Sequence, residues 1–125
     1  MTRSVFRLFS VAYIGAIFFF ADSSVISDLS PFNPYSLLHI PLYGILTLLL
    51  FFSISSSKPV AKNSVNSTNS TGSTRFLIVG LVATMVGVAD EIHQAYIPGR
   101  NASMADVFLD MVGIALCLFI IWRLQ

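Results

Sequence analysis

The sequence predicts an all-α protein that forms a four-helix transmembrane bundle. Hydrophobic residues make up 55% of the chain and charged residues only 10%, whereas about a quarter of the residues of a soluble domain are charged. The hydrophobic residues are gathered in four runs, each near the length of a membrane-spanning helix. No run shows the alternation of apolar and polar residues that is typical of strands. The length of 125 residues predicts one domain, residues 1–125.

The first predicted helix covers residues 5–21. Its basic start and apolar middle imitate a signal peptide, but Phe19 and Phe20 occupy the place where cleavage needs small residues. We therefore interpret it as a retained helix at the lower end of bilayer-spanning length. Residues 22–35 follow as a loop, because they contain two prolines and two aspartates.

The second predicted helix covers residues 37–54. His39, Tyr43 and Thr47 follow one another at a spacing of four, so they share one face, which we expect to point into the bundle. The next stretch, residues 55–74, is rich in Ser, Thr and Asn and buries too little apolar surface to become ordered. We interpret it as a flexible loop.

The third predicted helix, residues 76–97, runs from an apolar stretch into a polar one and is ended by Pro98 and Gly99. The fourth covers residues 103–122, with Asn101 or Ser103 as its N-cap. Gly113 lies on the face that carries the aspartates of this helix, where a glycine allows a neighbouring helix to approach closely.

The basic residues predict the orientation of the bundle. Six of the seven Lys and Arg residues lie at the two termini or between the second and third helices. Because short cytoplasmic loops are enriched in Lys and Arg, we expect both termini and residues 55–74 to be cytoplasmic. The polar ends of the second, third and fourth helices then meet on the outer side.

Polar side chains are concentrated at that outer end. A charged side chain within a membrane helix costs about 2.5 to 3.5 kcal/mol on insertion scales, so a chain that keeps several together is expected to use them. The residues concerned are Asp90, Glu91, His93, Gln94, Asp106 and Asp110, with His39 and Tyr43 opposite and Arg100 in the connecting turn.

Four acidic residues against Arg100 leave an excess of negative charge, which a purely structural network would not need. A metal ion, a cationic substrate group or protons held on the carboxylates would each balance it. The chain has no His-Glu-x-x-His spacing, so we expect retained protons, and no metal or other cofactor. A hydrolase built on Ser103 lacks a nucleophile motif. The net charge of +1 makes nucleic acid an improbable partner.

These residues resemble the VanZ-like family of small bacterial membrane proteins. The resemblance covers about residues 36–48 and 86–115. It consists of the run Asp90-Glu91-Ile92-His93-Gln94, the turn Pro98-Gly99-Arg100, Asp106 followed by Gly113, and His39 with Tyr43 at the start of a Leu-rich helix.

The resemblance implies a multi-pass protein of the bacterial inner (cytoplasmic) membrane with a link to resistance against glycopeptides such as teicoplanin. Two positions depart from the usual family pattern. Ser36 stands where many members carry a basic residue, and Asp110 stands where they carry Asn.

The sequence leaves two functions open. In the first, an outward-facing polar pocket binds or chemically alters a cell-envelope lipid or a peptidoglycan-linked component. The expected catalytic residues are then Asp90, Glu91, His93 and Asp106, and the expected substrate-binding residues are His39, Tyr43, Gln94, Arg100 and Asp110. In the second, the protein is a non-catalytic membrane scaffold or subunit, and the polar cluster is structural. The lipid bilayer, and an envelope lipid or a peptidoglycan precursor, are the expected partners.

Overall fold

The computed structural model describes residues 3–21, 37–54, 68–99 and 102–125. In the third of these segments, the side chains are described from residue 72 onwards. Within these segments the protein is helical and contains no strand, which confirms the predicted all-α class. The helices are α1 (Arg3–Ala21), α2 (His39–Ser53), α3 (Thr68–Ala95) and α4 (Met104–Leu124).

Three of these helices are long and apolar enough to cross a membrane, namely α1, residues 72–95 of α3, and α4. The outer surface of the described bundle is apolar as well, with Phe19, Leu77 and Phe119 more than half exposed. A soluble monomer rarely exposes so much contiguous apolar surface. The surface is therefore that of a membrane protein, whose outward side chains face lipid.

Helix α2 is the central element, because it packs against α1, α3 and α4. It has only 15 residues, so it is about 22 Å long at 1.5 Å per residue, shorter than the roughly 30 Å hydrocarbon core of a bilayer. Its inward face contributes Tyr43, Leu46 and Thr47, none of which is exposed. The face predicted from the spacing of four is thus the buried one.

Helices α2 and α4 touch through their backbones at Gly113. A Cβ atom at this position would lie 2.2 Å from the carbonyl oxygen of Ile40, and Gly44 lies beside the carbonyl of Gly113. Any side chain larger than hydrogen would force the two helices apart. The close helix approach predicted at Gly113 is therefore present, and it is α2 that approaches α4.

The start of α3 differs from its prediction. The helix begins at Thr68 and not at residue 76, so residues 68–74, expected to belong to a flexible loop, are helical. Extending an existing helix by one residue costs far less free energy than nucleating a new helix. Ser, Thr and Asn each disfavour the helix by only tenths of a kcal/mol. The rest of the predicted loop, residues 55–67, lies outside the described residues.

The end of α3 follows the expected stop. The helix ends at Ala95, and the amides of Tyr96 and Ile97 donate to carbonyl oxygens three residues earlier. A proline disfavours helical geometry in the residue before it, which accounts for the loss of regular helix ahead of Pro98. Gly99 then takes a φ of +84°, a value that suits glycine.

Candidate functional site

The start of α2, the end of α3 and the start of α4 meet at one end of the bundle. His39 is the first residue of α2, Asp90 and Glu91 lie in the last turns of α3, and Asp106 lies in the first turn of α4. The structure thus brings together side chains that are as many as 71 residues apart in sequence. Arg100, the expected cation of the site, lies outside the described residues.

An imidazole and a carboxylate form the best-defined contact of this end. His39 Nδ1 lies 2.7 Å from Oδ1 of Asp110, and the Asp110 side chain is only 2% exposed. With a carboxylate as acceptor, Nδ1 carries the hydrogen and donates the hydrogen bond, and Nε2 keeps a lone pair whenever the ring is neutral. Asp110 therefore fixes both the orientation and the tautomer of His39.

The surroundings of this pair are tightly shaped. The ring of His39 stacks on that of Tyr43, with centroids 6.2 Å apart and an angle of 6° between the planes. A Cβ atom on Gly87 would lie 2.8 Å from Oδ2 of Asp110. Glycine at residue 87 thus makes room for the carboxylate. The sequence alone does not reveal this role, because nothing distinguishes this glycine among its apolar neighbours.

Tyr43, Asp90 and Gln94 form the deeper part of the site. Tyr43 is fully buried, and Asp90 is only 2% exposed. Gln94 Nε2 donates to Oδ2 of Asp90 over 3.1 Å, along the same face of α3. Oδ1 of Asp90 and the hydroxyl of Tyr43 are buried as well, and these two side chains interact with each other.

Glu91 joins the end of α3 to the start of α4. Its Oε2 accepts a hydrogen bond from the backbone amide of Ser103 over 2.7 Å, which satisfies one of the amides that a helix start leaves without a partner. Ser103 is the N-cap residue of α4, one of the two positions predicted, but its side chain makes no capping hydrogen bond. Asn101 lies outside the described residues. Oε1 of Glu91 is buried and has no partner in the described part of the chain.

His93 lies on the opposite flank of α3 from Glu91. Its ring packs edge-on against Phe18 of α1, with centroids 5.4 Å apart, and its Nδ1 is buried without a partner in the described segments. The two expected acid–base residues therefore face different neighbours.

A compact group of possible ligand atoms lies between the three helices. His39, Glu91 and Asp106 each offer one nitrogen or oxygen atom, and these atoms lie within 4.8 Å of one another. They come from α2, α3 and α4 respectively. An imidazole and two carboxylates in such proximity can bind a cation or share protons.

The fold and this site define a helical membrane protein with acidic side chains buried at one end of its bundle. The family model of VanZ/LLP1 matches residues 6–125, nearly the whole chain, so the protein belongs to the VanZ/LLP1 family. Searches of curated proteins and of solved structures found no significant match. Family membership and the apolar helices fit a membrane protein linked to glycopeptide resistance.

Proposed function

We propose that the polar cluster binds the polar part of a cell-envelope lipid or of a peptidoglycan-linked component. This polar cluster consists of His39, Tyr43, Asp90, Glu91, Asp106 and Asp110. The protein that carries it is a multi-pass protein of the bacterial inner membrane, and the cluster faces outward.

One observation carries this proposal. Two carboxylate oxygens of the cluster, Glu91 Oε1 and Asp110 Oδ2, are buried without hydrogen-bond partners among the described residues. An unsatisfied buried polar atom costs about 1 to 3 kcal/mol, and membrane interiors offer no water to satisfy it. A ligand that donates hydrogen bonds to these oxygens would remove this cost, so their burial supports a binding site.

The position of the cluster indicates the kind of ligand. It lies at the ends of helices whose outer faces are apolar, so a molecule with a hydrocarbon tail can reach it while the tail stays in the bilayer. The link of the family to glycopeptide resistance favours a component of the cell envelope.

The geometry also bears on an enzymatic role. Asp90, Glu91, His93 and Asp106 remain the proposed acid–base residues. Asp90 and Glu91 are buried, which would keep water from a bound substrate. His39 joins them, because an imidazole oriented by a buried carboxylate is a common form of general base. Gln94 acts in this scheme by holding Asp90 in place.

Glu91→Gln and His93→Ala are expected to abolish the resistance phenotype while the amount of protein in the membrane stays near normal. Glutamine keeps an oxygen that can accept the Ser103 amide, and His93 packs at the edge of the bundle, so neither change removes a large part of the core. The measurements are the glycopeptide concentration that inhibits growth and the membrane abundance by immunoblot.

Ile92 supplies the matched control, because it lies between these two residues but is 56% exposed on the lipid-facing side. Ile92→Ala should change neither readout. If Glu91→Gln and His93→Ala reduce abundance and resistance in parallel, the cluster is structural and the scaffold role replaces the proposed one.

Cysteine labelling tests the orientation. In a chain without Cys117, an impermeant thiol reagent should label Asn101→Cys in intact cells and Ser64→Cys only after the membrane is permeabilised. Both positions lie outside the described residues, and the expectation comes from the distribution of Lys and Arg. The reverse pattern would place the polar cluster on the cytoplasmic side.

A further inference from the structure

We infer that His39, Glu91 and Asp106 form a binding site for a divalent metal ion, with Mn²⁺ and Zn²⁺ as the ions that suit the donor atoms. The site is part of the polar cluster, and its biological meaning rests on the proposed function. The expectation of no metal came from the lack of a His-Glu-x-x-His spacing. That spacing concerns ligands on one helix, whereas these three donors come from three helices.

The distances between the donors suit a metal ion after a small adjustment. Ligands at about 2.0 to 2.2 Å from a metal lie roughly 3 to 4 Å from one another, and the three donor atoms already lie within 4.8 Å of one another. His39 is at the start of α2 and Asp106 in the first turn of α4. A closer approach of about 1 Å between the donors is therefore enough for one metal ion to bind all three.

The environment of His39 is that of a metal-binding histidine. Its Nδ1 donates to Asp110, so Nε2 is the nitrogen left with a free lone pair. Metal-bound histidines usually donate their second ring nitrogen to a carboxylate or carbonyl in this way, which fixes the ring and makes the binding nitrogen more basic.

Glu91 provides an independent observation. Its side chain is only 4% exposed, Oε2 is held by the Ser103 amide, and Oε1 has no hydrogen-bond partner in the described part of the protein. A buried carboxylate oxygen without a partner requires either a proton or a cation. A metal ion bound by Glu91, His39 and Asp106 would supply such a cation.

The donor set restricts the identity of the ion. Imidazole favours Zn²⁺ and other transition metals, carboxylates favour Mn²⁺ and Mg²⁺, and one imidazole with two carboxylates fits Mn²⁺ or Zn²⁺ best. Three protein ligands leave at least one position open. That position would accept an anionic oxygen, such as one of a lipid phosphate, which the carboxylates alone would repel.

The test uses the full-length protein purified in detergent, stripped with chelator and then supplied with Mn²⁺ or Zn²⁺ separately. Elemental analysis after removal of free metal should find one ion per chain, and metal should raise the melting temperature while chelator lowers it. Glu91→Gln and Asp106→Asn should lose the ion. Asp110→Asn should weaken binding about 10- to 100-fold.

Ile92→Ala is the matched control, because this side chain follows Glu91 on α3 but is exposed and offers no ligand atom. It should bind metal as the unaltered protein does. The inference is overturned if the unaltered protein takes up no stoichiometric ion, or if Glu91→Gln and Asp106→Asn take it up equally well. The first of these results does not depend on whether the variants fold.

The two proposals can fail separately. If Glu91→Gln abolishes resistance but no metal binds, the cluster is functional and the metal site is absent. If metal binds to the three ligands but resistance is unchanged by their replacement, the metal is structural and the proposed function is wrong.

Discussion

Replacement of Gly113 by alanine is expected to lower the free energy of unfolding by about 3 kcal/mol, at the upper end of the usual range for overpacking. The added Cβ would lie 2.2 Å from the carbonyl oxygen of Ile40 and 3.0 Å from its Cα. Both are backbone atoms, which cannot rotate away as a side chain does. Helices α2 and α4 would therefore have to separate along their contact. Unfolding of the purified protein in detergent measures the effect.

Gly15 provides the control for this experiment. It also lies within a helix, but a Cβ atom there would meet nothing within 4 Å. Because alanine is favoured over glycine in helices by about 1 kcal/mol, Gly15→Ala should leave stability unchanged or raise it. Equal stabilities for the Gly15 and Gly113 variants would show that the backbone contact between α2 and α4 does not limit the packing.

The second large effect is expected from His39→Ala, with a loss of about 3 kcal/mol at neutral pH. Asp110 is 1% exposed, and His39 is the partner of its Oδ1. Removal of the imidazole leaves Oδ1 of this buried carboxylate without its hydrogen-bond donor, which costs about 1 to 3 kcal/mol and more when the group is charged. The unfolding experiment should be done in chelator, so that loss of a bound metal does not add to the difference.

Two further variants separate the charge from the packing. Asp110→Asn keeps an oxygen that can accept the His39 Nδ1–H, and its cost should stay near 1 kcal/mol. The double variant His39→Ala with Asp110→Leu removes the buried charge altogether and should recover most of the stability. If His39→Ala costs no more than Asp110→Asn, the pair does not contribute to folding in the way described.

The sequence was sufficient to predict the fold class because the apolar runs are long and because Pro98 and Gly99 are a strong signal for the end of a helix. Weak propensities were less informative. The Ser, Thr and Asn residues after position 67 predicted a loop, yet residues 68–74 continue the helix that the apolar run forms. The hydrophobic runs therefore determine which segments are helical. The position at which α3 starts depends instead on the low free-energy cost of extending a helix that has already formed.

The sequence pointed to the acidic residues that the structure brings to one end of the bundle, but not to their pairings. Acidic side chains in membrane helices cost free energy, so Asp90, Glu91, Asp106 and Asp110 could be identified as candidate site residues from the sequence. The partner of Asp110 could not be predicted, because His39 lies 71 residues away and the contact depends on how α2 crosses α4. The difference between Glu91 and His93 likewise depends on which helix borders each flank of α3.

The backbone contact at Gly113 also limits how the protein can move. Helices α2 and α4 carry His39 and Asp110, and the contact at Ile40 lies next to this pair. The two helices thus behave as one rigid unit that holds the imidazole and its carboxylate at a fixed distance during thermal motion. Helix α1 packs against α2 and α3 but not against α4 in the described structure, and its Phe18 contacts His93 on the far flank of α3. Movements of α1 would therefore leave the geometry of the His39–Asp110 pair unchanged.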